Sequence, residues 1–206
     1  MKVLMLNGSP HTEGNTALAL QEMARIFAEE NIETEIVHLG NQNIRGCIGC
    51  GTCYKTGKGV FDDAVAELAE KFREADGMVI GSPVYYASPN GTLLSFLDRL
   101  FYSTGKIDKR MKVGASVVVA RRGGCTAAMD VLNKYFTISE MPVASSTYWN
   151  IIHGGKPGDA QQDAEGVRTM RNLAKNMVFL MRGIASEKNV SGLPQPEPKV
   201  FTNFIR

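Results

Sequence analysis

Short apolar segments alternate along this chain with longer segments of helical hydrophobic spacing, and this alternation constrains the fold more than any other feature. Residues 2–6, 77–81 and 113–120 are apolar at nearly every position, which is typical of strands buried on both faces of a sheet. Between them, apolar side chains recur every three or four residues, as at Leu20 and Met23. Strands that alternate with helices predict a parallel sheet covered by helices on both faces.

The predicted sheet has five strands and the order 2-1-3-4-5, in an α/β, flavodoxin-like, doubly wound arrangement with helices on both faces. One domain is expected over residues 1–186, followed by a tail over 187–206 whose prolines prevent a helix. We expect strands at 2–6, 34–39, 77–81, 113–120 and from Val143, and helices around Leu20 and at 62–74, 92–101, 126–136 and 161–184.

Composition and charge exclude several classes of protein. The chain has 206 residues, 44% of them hydrophobic and 21% charged, which excludes an intrinsically disordered protein. The formal net charge is +2 with no long basic run, so no nucleic-acid partner is expected. No apolar run approaches the roughly 20 residues that span a bilayer. Three of the four cysteines lie within seven residues, which is not a disulfide framework, and we therefore expect a cytoplasmic protein.

The loop after the first strand carries the donors expected of a phosphate site. In an open parallel sheet, ligands bind beyond the carboxyl ends of the strands. The loop at 7–16 leads directly into a helix, and the first amides of a helix favour a bound anion. Ser9, Asn15 and Thr16 add side-chain donors. The loop has neither the Walker pattern nor the Gly-x-Gly-x-x-Gly fingerprint, which argues against an ATPase and against a dinucleotide at this loop.

Two further loops follow strands three and four at the same edge. The loop at 82–91 has two prolines that stiffen it and two tyrosines that offer flat faces to a ring. The loop at 121–126 has two arginines that can stabilise an anion and two glycines that let the backbone approach a ligand. Singly, the loops are explained as well by a rigid turn and a solvated arginine pair. Together, the three loops predict a site for flavin mononucleotide (FMN).

This combination of motifs resembles the NAD(P)H-dependent FMN reductase and iron-sulfur flavoprotein family over about residues 1–155. The resemblance implies a flavodoxin-like fold, non-covalently bound FMN, and a homodimer or homotetramer. The motifs that carry it are Gly8-Ser9-Pro10 with Gly14-Asn15-Thr16, Ser82-Pro83-Val84-Tyr85, Asp98-Arg99, Arg121-Arg122-Gly123-Gly124 and Tyr148-Trp149-Asn150.

The same resemblance implies which residues hold the FMN, in three groups. We expect no metal ligand in this set and no side chain with an indispensable acid–base role, because the flavin performs the chemistry. Relatives often carry a basic residue near positions 11–13, where this chain has His-Thr-Glu. The phosphate would be held by Ser9, His11, Asn15 and Thr16, the isoalloxazine ring by Pro83, Val84, Tyr85 and Tyr86, and its pyrimidine side by Arg121, Gly123 and Gly124.

Cys47, Cys50 and Cys53 form a Cys-x2-Cys-x2-Cys motif whose spacing suits three ligands of one cubane iron–sulfur cluster. The iron-sulfur flavoproteins are similar but carry a fourth cysteine about five to eight positions further on, where this chain reads Lys-Gly-Val-Phe at 58–61. Loss of the cluster is the favoured interpretation, because three thiolates normally leave a cluster labile. A cluster completed by Cys125 or by an outside group is one alternative, and zinc or redox-active thiols are another.

The sequence therefore predicts an oxidoreductase in which FMN takes hydride from NADPH or NADH and passes electrons to a small acceptor, such as a free flavin or a quinone. The alternative is an iron-sulfur flavoprotein that transfers electrons between a cluster, FMN and a ferredoxin-like partner. A third hypothesis is a flavin-binding module without turnover. None of the three hypotheses requires a membrane span.

Overall fold

The computed structural model describes residues 1–205, and its centre is a parallel sheet with helices on both faces. The strands are β1 (Lys2–Asn7), β2 (Glu33–His38), β3 (Gly77–Tyr85), β4 (Ser88–Pro89), β5 (Val113–Ala120) and β6 (Ile151–His153). The parallel strands pair in the order β2-β1-β3-β5-β6, and the two-residue β4 pairs antiparallel with the end of β3. With β4 set aside, this is the predicted 2-1-3-4-5 order, so the flavodoxin-like prediction is confirmed.

Six α-helices and one short 3-10 helix (Asp159–Gln162) accompany the strands. Asp63, Asn90 and Asp163 each accept a hydrogen bond from a first-turn amide, which fixes where three of the helices begin. Within residues 1–205, no helix is both long and apolar enough to cross a membrane. The α-helices are α1 (Asn15–Glu29), α2 (Thr52–Thr56), α3 (Ala64–Glu74), α4 (Gly91–Ser103), α5 (Cys125–Thr137) and α6 (Ala164–Ser191).

Each face of the sheet has its own hydrophobic cluster. Side chains alternate along β1, so Val3 and Met5 join one cluster while Leu4 and Leu6 join the other. Helices α1 and α6 cover the first face, and α3, α4 and α5 cover the second. All eight residues of β5 are buried, as expected for a central strand covered on both faces.

Several elements differ from the prediction, and two of the differences change the description of the fold. A fifth strand that begins at Val143 is wrong, because Val143 makes only an isolated bridge to Gly114 and the fifth parallel strand is β6. The chain becomes polar after Ala144, so the segment at 143 has no apolar residues with which to extend that bridge. Helix α6 continues to Ser191, so it includes the first five residues of the expected tail, and it ends before the prolines.

Candidate functional site

A cavity of about 370 Å³ lies at the carboxyl ends of β1, β3 and β5, where three of its walls come from the loops that follow these strands. The segment after β6 supplies a fourth wall. Eight of the eleven residues predicted to bind the cofactor line this cavity. The lining residues are Ser9, His11, Gly14, Asn15, Thr16, Pro83, Val84, Tyr85, Val119, Ala120, Arg121, Gly154, Gly155 and Pro157.

The start of α1 forms a polar end of the cavity. Gly14 is the N-cap of α1 and has no side chain that could accept from the first-turn amides, so these donors face the cavity without a side-chain cap. The Ser9 Oγ accepts from the His11 amide at 3.1 Å, which fixes the loop and leaves the Ser9 hydroxyl hydrogen able to donate. An uncapped helix start beside the Ser9 and Thr16 hydroxyls fits a phosphate.

Asn15 ties this polar end to the segment after β6. Its Nδ2 donates to the Lys156 carbonyl at 2.9 Å, and its Oδ1 accepts from the Ala160 amide at 3.2 Å. A Cβ added at Gly154 would lie 2.6 Å from the same Nδ2, so only glycine fits against this side chain. Asn15 therefore shapes the cavity wall, and its amide is already engaged.

Thr16 tests the predicted phosphate site better than Asn15 does, because Thr16 is 2% exposed and lines the cavity. Thr16→Val keeps the shape and removes the hydroxyl. We expect FMN to bind at least about 10-fold more weakly, because a hydrogen bond to a charged group contributes ~1.5–3 kcal/mol. Fluorescence titration of the apoprotein with FMN measures this change. Thr169→Val is the matched control, since Thr169 is equally buried but lies in α6 outside the cavity lining; equal FMN affinities for the two variants would refute the assignment.

The β3–β4 hairpin forms the opposite wall. The chain reverses at Tyr86 and Ala87, whose φ angles are 50° and 59°, as in the two-residue turns that suit a twisted hairpin. Positive φ at non-glycine residues stores strain, which clusters at ligand sites. Tyr85 lines the cavity, whereas the turn directs Tyr86 into solvent, fully exposed.

The loop after β5 divides into a part that lines the cavity and a part that supports the hairpin. Arg121 is exposed and lines the cavity. Gly124 has a φ of +92°, and a Cβ added there would lie 2.9 Å from the Ala87 Cα, so this glycine packs under the hairpin turn. Neither Gly123 nor Gly124 lines the cavity, so with Tyr86 they are the three predicted residues that the structure leaves out of its wall.

Six lining residues are absent from the prediction, and Gly154, Gly155 and Pro157 are the most informative of them. Gly123 and Gly124 are predicted to bind the cofactor because they form a Gly-Gly pair after a strand. No cofactor-binding role is predicted for the pair at 154–155, because the fifth strand is predicted too early in the chain. The Lys156 and Gly155 amides donate to Asp159 Oδ2 at 2.7 and 3.1 Å, which holds this wall together and lowers the pKa of Asp159.

The three clustered cysteines line a second cavity, of about 30 Å³, that shares no residue with the first. It lies beside α4, and its other walls include Gly59, Phe61 and Arg99. Cys125 is buried at the start of α5 and does not line it. The structure therefore does not bring Cys125 to the other three thiols as a fourth ligand.

A cation and an aromatic ring occupy the wall where a fourth cysteine is expected. A Cβ added at Gly59 would lie 3.7 Å from the Arg99 Nη2. The Arg99 guanidinium is held by Asp63 at 2.6 and 2.9 Å and lies 4.8 Å from the centre of the Phe61 ring. Within residues 1–205, no three His, Cys, Asp or Glu side chains are grouped so that they could hold a metal ion. This donor set does not fit a four-cysteine cluster.

Known proteins resemble this chain in sequence and in fold. Residues 1–156 match the family described as NADPH-dependent FMN reductase. An iron-sulfur flavoprotein of Methanocaldococcus jannaschii is 36% identical over 189 residues, covering 88% of this chain and 98% of that protein. An iron-sulfur flavoprotein of Archaeoglobus fulgidus is 31% identical over 191 residues, covering 86% and 94%. The NAD(P)H:quinone oxidoreductase of Methanothermobacter marburgensis shares the fold, with a TM-score of 0.67 at 17% identity, covering 86% and 96%.

Proposed function

The chain belongs to the NADPH-dependent FMN reductase family, and on that basis we propose that it carries electrons from NAD(P)H to a free flavin or a quinone. It is a flavin oxidoreductase that binds FMN and uses NAD(P)H. The observation that carries the proposal is the 370 Å³ cavity, at which a polar helix start, a tyrosine hairpin and an arginine converge from three separate loops.

The residues of the cavity suit the two chemically different ends of FMN. The uncapped start of α1, with the Ser9 and Thr16 hydroxyls, offers hydrogen-bond donors and partial positive charge to the phosphate. Pro83 and Tyr85 offer apolar and aromatic surface to the ring. Bound FMN supplies hydride acceptance and electron release. The Arg121 guanidinium stabilises negative charge at the ring, where such charge develops during reduction.

A small planar acceptor is proposed because the hairpin side of the cavity is open to solvent. Tyr85 is 43% exposed, and Arg121, which lines the same cavity, is also exposed. An aromatic surface and a guanidinium in one cavity suit a planar, electron-poor ring that becomes anionic on reduction. Free flavins and quinones both have these properties.

An anaerobic titration tests this proposal. We expect the bound flavin absorbance to bleach on addition of NADPH or NADH and to return when menadione or free FMN is added. Arg121→Ala should slow the bleaching about 10-fold, because one donor to a developing negative charge is removed. Arg122→Ala is the control, since Arg122 is exposed and does not line the cavity. Bound FMN that neither nucleotide reduces would contradict the proposal.

An electron-transfer protein with an iron–sulfur cluster is the alternative function. The spacing of Cys47, Cys50 and Cys53 and the names of the relatives support it. The missing fourth thiol and the guanidinium of Arg99 weigh against it, because a cation does not ligate iron. An iron and sulfide assay of the anaerobically purified protein separates the two functions.

We propose that the protein acts as a homo-oligomer in the cytoplasm. The tail carries apolar side chains that contact little of their own chain, with Val200, Phe201 and Phe204 exposed at 91%, 87% and 94%. Contiguous exposed apolar residues mark interaction surfaces. The cytoplasm is proposed because it keeps thiols such as Cys47, Cys50 and Cys53 reduced.

A further inference from the structure

Cys50 and Cys53 are placed as a pair around the start of α2. Cys50 is exposed and lies directly before Gly51, the N-cap of α2, whereas Cys53 lies in the first turn and is half-buried. Both thiols line one cavity of about 30 Å³, so they open onto the same small space. A disulfide requires the two Cβ atoms to lie about 3.5–4.5 Å apart, so Cys50, which lies outside the helix, would have to move toward Cys53.

The backbone around Cys50 has room for that movement. Gly49 and Gly51 flank it with φ angles of +66° and +69°, and a Cβ added at either would meet no atom within 4 Å. Positive φ is accessible to glycine without strain, and no neighbouring segment packs against the two glycines. The two sites of rotation lie on either side of the exposed thiol.

Exposure also favours Cys50 as the attacking thiol. Cys50 is exposed, Cys53 is half-buried, and Cys125 is buried at the start of α5. A disulfide in solution can reach the Cys50 thiol directly, whereas it cannot reach Cys125.

The absence of a fourth ligand leaves these thiols available for exchange. Arg99 and Phe61 fill the wall in which a cluster would need a thiolate, and Arg99 is held there by Asp63. The three sulfurs open onto one cavity but have no complete set of metal ligands within residues 1–205. Cys-x-x-Cys pairs of this kind serve as redox-active dithiols when no metal occupies them.

We propose that Cys50 and Cys53 form a thiol–disulfide exchange site for low-molecular-mass disulfides, with Cys50 as the attacking thiol and Cys53 as the resolving thiol. The Cys50 thiolate attacks one sulfur of the disulfide, a mixed disulfide forms, and the first thiolate leaves. The Cys53 thiolate then attacks the Cys50 Sγ and releases the second thiolate. Each turnover oxidises two protein thiols to one disulfide and reduces one external disulfide to two thiols.

Glutathione disulfide is the probe for this site. The full-length protein is purified anaerobically, assayed for iron and sulfide, exposed to the probe, quenched in acid and mapped by mass spectrometry. We expect iron and sulfide far below one cluster per chain and a single internal bridge between Cys50 and Cys53. Cys50→Ser should slow loss of the Cys53 thiol at least about 100-fold, because the attacking thiol is gone.

Three further variants make the assignment specific. Cys53→Ser should accumulate a stable glutathione adduct on Cys50, because the resolving step is blocked. Cys47→Ser and Cys125→Ser should form the bridge as the wild type does.

Several results would overturn the proposal. One is a stoichiometric cluster whose removal is needed before any thiol reacts. A second is a bridge that uses Cys47 in place of Cys53. A third is a permanent mixed disulfide on Cys50 in the wild type, because it would show that Cys53 does not resolve.

Discussion

Replacement of Asp63 by alanine is expected to lower the free energy of unfolding by about 3–5 kcal/mol, because it leaves a buried guanidinium without its counter-ion. Arg99 is 6% exposed, and Asp63 holds it through two hydrogen bonds at 2.6 and 2.9 Å. The Asp63 carboxylate also caps α3 by accepting from the Val65 amide. The variant therefore loses an ion pair and a helix cap together.

Urea denaturation at neutral pH measures the change in the free energy of unfolding. Two further variants show how much of that change comes from the ion pair. Asp63→Asn keeps an N-cap oxygen and removes the charge, so it isolates the ion pair. Glu29→Ala breaks the exposed pair between Glu29 and Arg25 on α1 and should cost no more than ~0.5 kcal/mol. If Asp63→Ala and Glu29→Ala cost the same, the pair at Arg99 is no stronger than a surface contact.

Gly40→Ala is expected to cost about 3 kcal/mol of stability and to weaken FMN binding about 100-fold, because overpacking against backbone has no flexible side chain to absorb it. A Cβ added at Gly40 would lie 2.1 Å from both the carbonyl carbon and the oxygen of Ser9. The loop that carries the Ser9 hydroxyl must therefore move. The loss of stability and the weaker FMN binding both follow from the displacement of this loop.

Gly183→Ala is the control for the same chemical change. Gly183 lies on the exposed side of α6, and a Cβ added there meets no atom within 4 Å. Alanine should stabilise this helix by about 0.5–1 kcal/mol and leave FMN binding unchanged. Thermal unfolding of the apoprotein and FMN titration report on the two quantities separately. Normal FMN affinity in Gly40→Ala would show that the Ser9 loop does not hold the phosphate.

The fold can be predicted from this sequence where an element is long and buried. Strand β5 is predicted at its observed bounds, because all eight of its residues are buried and apolar. Strand β6 has only three residues, and α2 has five residues with none buried, so neither carries a hydrophobic pattern long enough to detect. Short elements of this kind are specified by their neighbours, which lie far away in sequence.

Part of the candidate site is predictable from the sequence, and part of it is not. Sheet order alone brings the loops of Ser9, Tyr85 and Arg121 to one edge, because the parallel strands before them all end there. The engagement of the Asn15 amide with Lys156 spans 141 positions and depends on how α6 and the segment before it pack. The sequence around Asn15 therefore does not show whether its side-chain amide is free to bind a ligand or is hydrogen-bonded to the cavity wall.

The first and last helices cover the same face of the sheet, and this has a consequence for biosynthesis. Helices α1 and α6 share one hydrophobic cluster and are joined by ion pairs from Arg171 to Glu22 and from Arg182 to Glu30. The ribosome must release the chain as far as α6 before that helix can cover Met23 and Phe27. Contacts this distant in sequence form late, so we expect the apolar side chains on that face of the sheet to stay uncovered until α6 has emerged.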